Sequence, residues 1–188
     1  MKKRVAIFAS GSGTNAEEIF KKFQHHPNVE IVLLLSNNSS AYALERAQNY
    51  NVATKVFDRK TFRETNEIVS ILEKEKIDLI VLAGFMWLVP ANLVSAFSNK
   101  IINIHPALLP KYGGKGMYGM HVHEAVKSNN EKETGITIHY VNEHYDEGQI
   151  IKQATCDISV SDSAEDIANK VHQLEYKYLP LVIEELLV

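Results

Sequence analysis

Two polar side chains, Asn103 and His105, stand two positions apart at the end of a run of apolar residues. Alternate residues of a β-strand point to the same side, so this amide and imidazole would share one pocket while Ile102 and Ile104 face the core. Pro106 cannot donate to a sheet ladder and should end the strand. An imidazole can give or take a proton near neutral pH, which predicts a chemical site. The same spacing also fits an ordinary strand end with a solvated Asn.

A carboxylate, Asp146, is the third candidate, and it lies with Glu147 in a polar stretch that follows a strand pattern. If Asp146 meets His105, its charge would favour the imidazolium and orient the ring. Short acids are also common in surface turns, which they stabilise. The position of Asp146 therefore leaves both a site and a plain turn open.

A loop that reads Ser-Gly-Ser-Gly-Thr-Asn, residues 10–15, lies between the first apolar run and the first helical pattern. Glycines allow a tight turn and a close approach of the backbone to a ligand, and a helix N-terminus offers unpaired N–H groups to an anion. Thr14 and Glu17 also have the spacing of a capping box. The loop predicts a phosphate cradle formed by Gly11, Ser12, Gly13, Thr14 and Asn15, with a merely tight turn as the alternative.

Other site classes are less well supported by the residues. The loop lacks the Gly-Lys-Ser/Thr ending of a triphosphate-binding loop. It satisfies the loose dinucleotide pattern through Ala16, but no acid follows the second strand at residues 36–38, so no nicotinamide cofactor is expected. His121 and His123 could chelate a metal in an extended chain, yet no acidic cluster completes a ligand set. We therefore predict no metal.

The apolar runs indicate the fold class, α/β. Runs that are apolar on both faces alternate with helical patterns, which is typical of a Rossmann-like, mostly parallel sheet flanked by helices. Later, residues 135–141 and 149–154 flank a polar stretch and predict an antiparallel C-terminal part. Ser163 then begins a helical pattern that Pro180 should kink or end. No linker divides the chain, so residues 1–188 are predicted to form a single domain.

The composition restricts the possible partners and the cellular location of the protein. The net charge of -3, with 20 Lys and Arg against 23 Asp and Glu, gives no general attraction for nucleic acid. Cys156 is the only cysteine, which fits a reducing cytoplasm. The apolar runs are too short for a signal peptide or a membrane span. We expect a cytoplasmic protein that binds neither nucleic acid nor membrane.

Four features of the chain form a pattern when they are taken together and in order. They are residues 9–15 (Ala-Ser-Gly-Ser-Gly-Thr-Asn), 82–86 (Leu-Ala-Gly-Phe-Met), 103–112 (Asn-Ile-His-Pro-Ala-Leu-Leu-Pro-Lys-Tyr) and Asp146. This pattern resembles the folate-dependent formyltransferase family over essentially the whole chain. Within that family, the start of the chain is similar to the phosphoribosylglycinamide formyltransferases of purine biosynthesis.

This resemblance implies the formyltransferase fold and small-molecule substrates, with the protein a monomer or a homodimer. It implies transfer of the formyl group of 10-formyltetrahydrofolate to the amine of phosphoribosylglycinamide, with Asn103, His105 and Asp146 as the catalytic residues. His105 would be an imidazolium, held charged by Asp146, beside Asn103 at the developing oxyanion. The implied nucleotide-binding residues are Gly11, Ser12, Gly13, Thr14, Asn15 and Glu175. The implied folate-binding residues are Met86, Trp87, Leu88, Val89, Asn103, Asn142, Glu143, His144, Tyr145 and Asp146, with Arg59 or Lys60 at the folate tail.

One segment departs from the family pattern, and other functions remain open. After Tyr112, a longer glycine-rich path of residues 113–120 leads to His121 and His123, which leaves the positions of these histidines open. A 10-formyltetrahydrofolate hydrolase or another folate-dependent formyltransferase would use the same Asn, His and Asp. A non-catalytic nucleotide-binding module would keep the glycine loop but would not need these three residues together.

Overall fold

A computed structural model describes all residues, 1–188, and its centre is one seven-stranded sheet. The strands are β1 (Lys3–Phe8), β2 (Val29–Ser36), β3 (Ala53–Val56), β4 (Leu79–Leu82), β5 (Ile101–His105), β6 (Glu133–Tyr140) and β7 (Ile150–Asp157). The helices are α1 (Thr14–Phe23), α2 (Tyr42–Asn49), α3 (Arg59–Glu64), α4 (Glu67–Lys74), α5 (Ala91–Ala96), α6 (Met120–Ser128) and α7 (Ala164–Leu187). No helix combines the length and the apolar composition needed to cross a membrane.

The strand order is β3-β2-β1-β4-β5-β6-β7, and the first five strands of this order are parallel. β6 and β7 are antiparallel to their neighbours. The Rossmann-like prediction with an antiparallel C-terminal part is therefore confirmed. The chain order reverses between β1 and β4, and ligands of such sheets bind outside the carboxyl ends of the strands at that point.

Both faces of the sheet are buried, which explains the continuous apolar runs. Val5 and Ile7 of β1 face one core cluster, whereas Ala6 and Phe8 face the other. This alternation requires helices on both sides of the sheet. The rigid centre presents the carboxyl ends of β1, β4 and β5 at one edge.

Single residues decide two local features of the helices. After β3, the extended backbone of Thr65 separates α3 from α4. Of the two outcomes expected at Pro180, a kink or an end of the helix, the end is excluded, because α7 continues from Ala164 to Leu187 with Pro180 inside it. The predicted start of α7 is confirmed: Ser163 and Asp166 form a reciprocal capping box.

Candidate active site

A cavity of about 640 Å³ opens at the carboxyl ends of the central strands. The glycine loop of residues 11–15 lines one part of it, and Asn103, His105 and Asp146 line another. Glu175 of α7 completes the wall near the loop. The sequence candidates for phosphate binding and for catalysis therefore share one cavity.

Gly13 gives the glycine loop its shape. Its φ of 72° lies in the left-handed region, and a Cβ there would come within 2.5 Å of the Ala43 side chain. The loop is also pinned by a hydrogen bond from the Ala43 N–H to the Gly11 carbonyl, 3.1 Å long. Only glycine meets both demands at position 13.

The helix after the loop begins without a side-chain cap. Gly13 is the N-cap residue of α1, so the expected capping box of Thr14 and Glu17 is wrong. Glu17 instead pairs with Arg46, whose Nε donates to the Ser12 carbonyl over 2.9 Å. The first N–H groups of α1 therefore have no side-chain acceptor, and the helix dipole favours an anion there.

Residues that follow β2 form hydrogen bonds with the start of the glycine loop. Ser10 donates from Oγ to Oδ1 of Asn37 over 2.7 Å and accepts a hydrogen bond from the Met86 N–H over 3.1 Å. Asn38 donates from Nδ2 to the Ser10 carbonyl over 3.3 Å. The polar stretch after β2, which lacks the acid of a dinucleotide site, thus has a structural role.

Glu175 meets the start of α1. Asn15 donates from Nδ2 to Oε2 of Glu175 over 2.9 Å, and the other Asn15 atom, Oδ1, is buried without a partner in the protein. Burial raises the pKa of Glu175 to about 7, although the hydrogen bond from Asn15 opposes this shift. A buried acid and an amide oxygen without a partner thus lie side by side at the cavity wall.

Asn103 and His105 lie on β5 as the spacing predicted, and both side chains reach the cavity. Asp146 comes to them from the loop after β6, where its φ of 55° is left-handed. Oδ2 of Asp146 lies 3.6 Å from Nδ1 of His105, and Oδ1 lies 3.5 Å from Nδ2 of Asn103. The Gly114 N–H donates to Oδ2 over 2.9 Å.

The carboxylate of Asp146 is held ionised. Burial alone would raise its pKa, but the nearby rings of His139 and His105 and the Gly114 N–H together keep that pKa below its usual value. A negative charge is thus available beside the imidazole at neutral pH.

Opposing influences act on the charge of His105 in the substrate-free protein. Burial is the largest influence and lowers the pKa of His105, although Asp146 and the Tyr112 carbonyl both favour the charged ring. Nε2 lies 2.7 Å from the carbonyl oxygen of Tyr112, which only accepts, so we place the hydrogen on Nε2. Burial therefore favours the neutral ring at rest, with the free lone pair on Nδ1.

His139 completes this group, and sequence reasoning missed it. It is only 2% exposed, Nδ1 donates to the Tyr140 carbonyl over 2.9 Å, and Nε2 accepts from Nδ2 of Asn103 over 3.1 Å. The signal was the strand pairing, because His139 stands directly opposite Asn103 in the antiparallel register. Without knowledge of that register, it was one of several histidines with no assigned role.

The remaining histidines do not form a metal-binding pair. His121 is exposed on α6, 3.6 Å from Glu124, whereas His123 is buried and lines the cavity. Burial lowers the pKa of His123 to about 4, and its Nδ1 has no partner in the protein. His172 of α7 lies beside it, with ring centroids 6.3 Å apart. His172 is a further cavity residue that the sequence did not single out, and His123 was considered there only as a possible metal ligand.

The residues expected at the folate are only partly brought together. Met86 lines the cavity with a side chain that is 52% exposed. Trp87 packs against the buried aromatic rings of the second core cluster, and Val89 is buried there too. Neither these two side chains nor Leu88 line the cavity, because the chain after Met86 turns into the core.

The residues expected at the folate in the loop after β6 also reach the cavity only in part. Tyr145 lines the cavity together with Asp146, but Asn142, Glu143 and His144 do not. Asn142 instead accepts the His144 N–H over 2.9 Å within the loop. Arg59 and Lys60 begin α3, and the Arg59 guanidinium lies 5.9 Å from the Trp87 ring centre, outside the cavity.

Known proteins share this architecture and sequence. The family model described as formyl transferase matches residues 3–183. The chain is 39% identical over 183 residues to the chloroplastic phosphoribosylglycinamide formyltransferase of Arabidopsis thaliana, which covers 94% of this chain, while the chain spans only 62% of that relative. It is 36% identical over 190 residues to the phosphoribosylglycinamide formyltransferase of Bacillus subtilis, covering 98% of this chain and 95% of the relative.

A solved structure agrees over the full length of both chains. The crystal structure of glycinamide ribonucleotide transformylase 1 from Geobacillus kaustophilus superposes with a TM-score of 0.91 at 36% identity and covers 100% of each chain. The chain belongs to the phosphoribosylglycinamide formyltransferase family.

Proposed function

We propose that the protein transfers the formyl group of 10-formyltetrahydrofolate to the amine of phosphoribosylglycinamide, giving phosphoribosyl-N-formylglycinamide and tetrahydrofolate in purine (IMP) biosynthesis. The observation that carries this proposal is the meeting of Asn103, His105 and Asp146 in one cavity with an uncapped helix start. The printed name of the Bacillus relative, 95% of which the chain covers, supports it. Residues 1–188 would act as one catalytic domain.

The nucleotide would occupy the half of the cavity formed by residues 11–15. Its phosphate would accept N–H groups of the loop and of the first turn of α1, where the helix dipole favours a dianion. Glu175 and the free Oδ1 of Asn15 are acceptors, and the hydroxyl groups of a ribose are donors. This pairing orients the glycinamide amine towards His105.

The folate would occupy the other half. Met86 would pack on the pterin from one side, with Tyr145 and Asp146 opposite. The cavity volume of about 640 Å³ lies within the range of roughly 300 to 1,000 Å³ that is typical of small-molecule sites. Trp87, Leu88 and Val89 would contact the folate only through their backbone. Residues 142–144 would lie at the rim of the cavity. Arg59, or else Lys60, would meet the acidic tail of the folate.

The reaction replaces one carbon–nitrogen bond with another. The amine attacks the formyl carbon, the carbonyl oxygen becomes an oxyanion, and the bond to the folate nitrogen then breaks. One amide hydrogen of Asn103 is engaged by His139, but the other has only the long 3.5 Å contact with Asp146 and can turn to the oxyanion. A preset donor of this kind stabilises the transition state more than the ground state.

The proton passes through His105. Neutral Nδ1 can take the proton that the attacking nitrogen loses, directly or through water, and the ring then becomes the imidazolium. Asp146 stabilises that charge, and the charged Nδ1–H can donate to the oxyanion before it protonates the leaving nitrogen. The imidazolium that the resemblance implies is thus proposed to arise during the reaction.

One assay separates this function from the alternatives. The protein is incubated with 10-formyltetrahydrofolate, with and without phosphoribosylglycinamide, and loss of the formyl donor is followed. We expect consumption only with the ribonucleotide. Consumption without it would show a hydrolase, and none in either mixture would show a binding module; both results contradict the proposal.

We also propose the partners, the cellular location and the oligomeric state of the protein. The partners would be the two small-molecule substrates, with no nucleic acid or membrane. Cys156 is a free cysteine, which suits the reducing cytoplasm where we place the protein. We expect a monomer or a homodimer in solution.

A further inference from the structure

Backbone groups of residues 112–114 contact both His105 and Asp146. The Tyr112 carbonyl lies 2.7 Å from Nε2 of His105, and the Gly114 N–H lies 2.9 Å from Oδ2 of Asp146. Because the carbonyl fixes the hydrogen on Nε2, it also decides that Nδ1 is the free nitrogen. Nδ1 is the atom that faces Asp146, at 3.6 Å.

The backbone of Tyr112 is in an uncommon conformation. Its φ is 56°, in the left-handed region that bulky side chains rarely adopt. The next residue is tightly enclosed, since a Cβ on Gly113 would come within 2.5 Å of the Leu109 side chain and 3.3 Å of Asp146 Cβ. Such a conformation persists only where the surroundings hold it.

The Tyr112 side chain is anchored by hydrogen bonding, which can stabilise this backbone conformation. Its hydroxyl donates to Oε1 of Glu131 over 2.8 Å, and Lys111 donates to the same oxygen over 2.9 Å. Burial and the bond to Glu131 raise the pKa of Tyr112 to about 12, so the hydroxyl keeps its hydrogen at any working pH. Glu131 lies outside the active-site cavity.

We propose that Tyr112 and Glu131 are positioning residues for His105. By anchoring the phenol, Glu131 keeps Tyr112 left-handed and its carbonyl on Nε2, which reserves Nδ1 for the proton of the substrate amine. The effect on catalysis rests on the proposed function, whereas the effect on the imidazole tautomer does not.

The test combines nuclear magnetic resonance with kinetics. In protein labelled with ¹⁵N-histidine, the His105 signals are identified by their loss in His105→Gln, and the shifts of its two ring nitrogens report the tautomer. We expect Nε2–H in the unchanged protein and a mixture of tautomers in Tyr112→Phe. The turnover of formyl transfer should fall roughly three- to tenfold, the loss typical of one hydrogen bond, with both KM values unchanged.

Matched variants distinguish the anchor from general damage. Glu131→Ala removes the acceptor and should behave like Tyr112→Phe, whereas Glu131→Gln retains an oxygen acceptor and should restore turnover and tautomer. The Lys111 side chain is 68% exposed and contacts the same carboxylate from the solvent side, so Lys111→Met should change neither turnover nor tautomer.

The outcomes separate the two proposals. An unchanged tautomer in both Tyr112→Phe and Glu131→Ala would overturn the positioning role. A changed tautomer with unchanged turnover would uphold the anchor but overturn the role of His105 in the proposed reaction. Activity lost equally in Glu131→Gln would also count against an anchor made by this hydrogen bond.

Discussion

The side-chain amide of Asn103 donates to Nε2 of His139 over 3.1 Å, at the place where the sheet changes from parallel to antiparallel. This bond engages one hydrogen of the amide and leaves the other with only the long contact to Asp146. The antiparallel edge therefore contributes to the site through a side chain as well as through a loop.

Replacing His139 with leucine should loosen Asn103. We expect turnover to fall roughly tenfold, less than the ~10² or more that outright loss of an oxyanion donor costs. The KM for the nucleotide should be unchanged. His121→Leu is the matched control, because His121 is exposed on α6. Steady-state kinetics measures this effect. A His139→Leu protein with the turnover of the unchanged protein would contradict a role of His139 in the site.

Asp146→Asn should lower turnover roughly tenfold or more, at the low end of what acid–base groups supply. Asparagine tolerates the left-handed backbone at this position, so the fold should be retained. Because Asp146 raises the pKa of His105, its loss makes the imidazolium harder to form. His105→Ala should have a comparable effect, and Glu147→Gln, on an exposed neighbour, serves as control. Near-normal turnover in either catalytic variant would rule out its assignment.

Glu175→Gln should stabilise the protein in alkaline buffer. Because the pKa of Glu175 rises from 4.5 to about 7 on folding, the native state binds more protons than the unfolded state between these values. Stability is therefore lost as pH rises from 4.5 to 7, by up to about 3 kcal/mol. Glutamine resembles the protonated acid, so the free energy of unfolding should increase at pH 8 and change little at pH 4. Denaturant titrations at both pH values check this, and equal effects would contradict it.

The same substitution should weaken nucleotide binding. A neutral amide is a poorer acceptor for ribose hydroxyls than a carboxylate, and we expect roughly tenfold loss of affinity, as for a hydrogen bond to a charged group. Calorimetric titration with phosphoribosylglycinamide at pH 8 measures it. An unchanged affinity would place the ribose elsewhere.

Gly13→Ala should destabilise the fold, because the new Cβ would meet Ala43 at 2.5 Å from a left-handed backbone. A cost of about 2 kcal/mol or more would lower Tm by roughly 4 to 8 °C. At Gly11 a Cβ would meet nothing within 4 Å, so Gly11→Ala should unfold at the unchanged temperature. Similar Tm values for both variants in calorimetry would contradict the steric account.

Much of the fold could be read from periodicity, because strands buried on both faces leave continuous apolar runs. Asn103 and His105 could be paired for the same reason, since two-residue spacing in a strand is local geometry. His139 could not, because its place depends on a strand register that no local pattern shows. Val89 was assigned to the folate by position, yet its side chain is 3% exposed in the core.

The opposing influences on the charge of His105 could not be weighed from the sequence. From the sequence, Asp146 was the only influence in view, and it favours the charged ring. Burial of the ring, which is 3% exposed, acts in the opposite direction and is a property of the packed structure. The direction of a pKa shift depends on both burial and nearby charge, and only a nearby charge can be anticipated from a sequence.

The hydrogen bond between Asn15 and Glu175 spans 160 positions, so the proposed nucleotide subsite joins the first helix to the last. A ribosome adds about 5 to 20 residues each second, and roughly 10 to 30 s therefore separate the synthesis of Asn15 from that of its partner. During that time the nascent chain already contains β5 but lacks Glu175. The proposed subsite therefore cannot be complete before α7 has been synthesised.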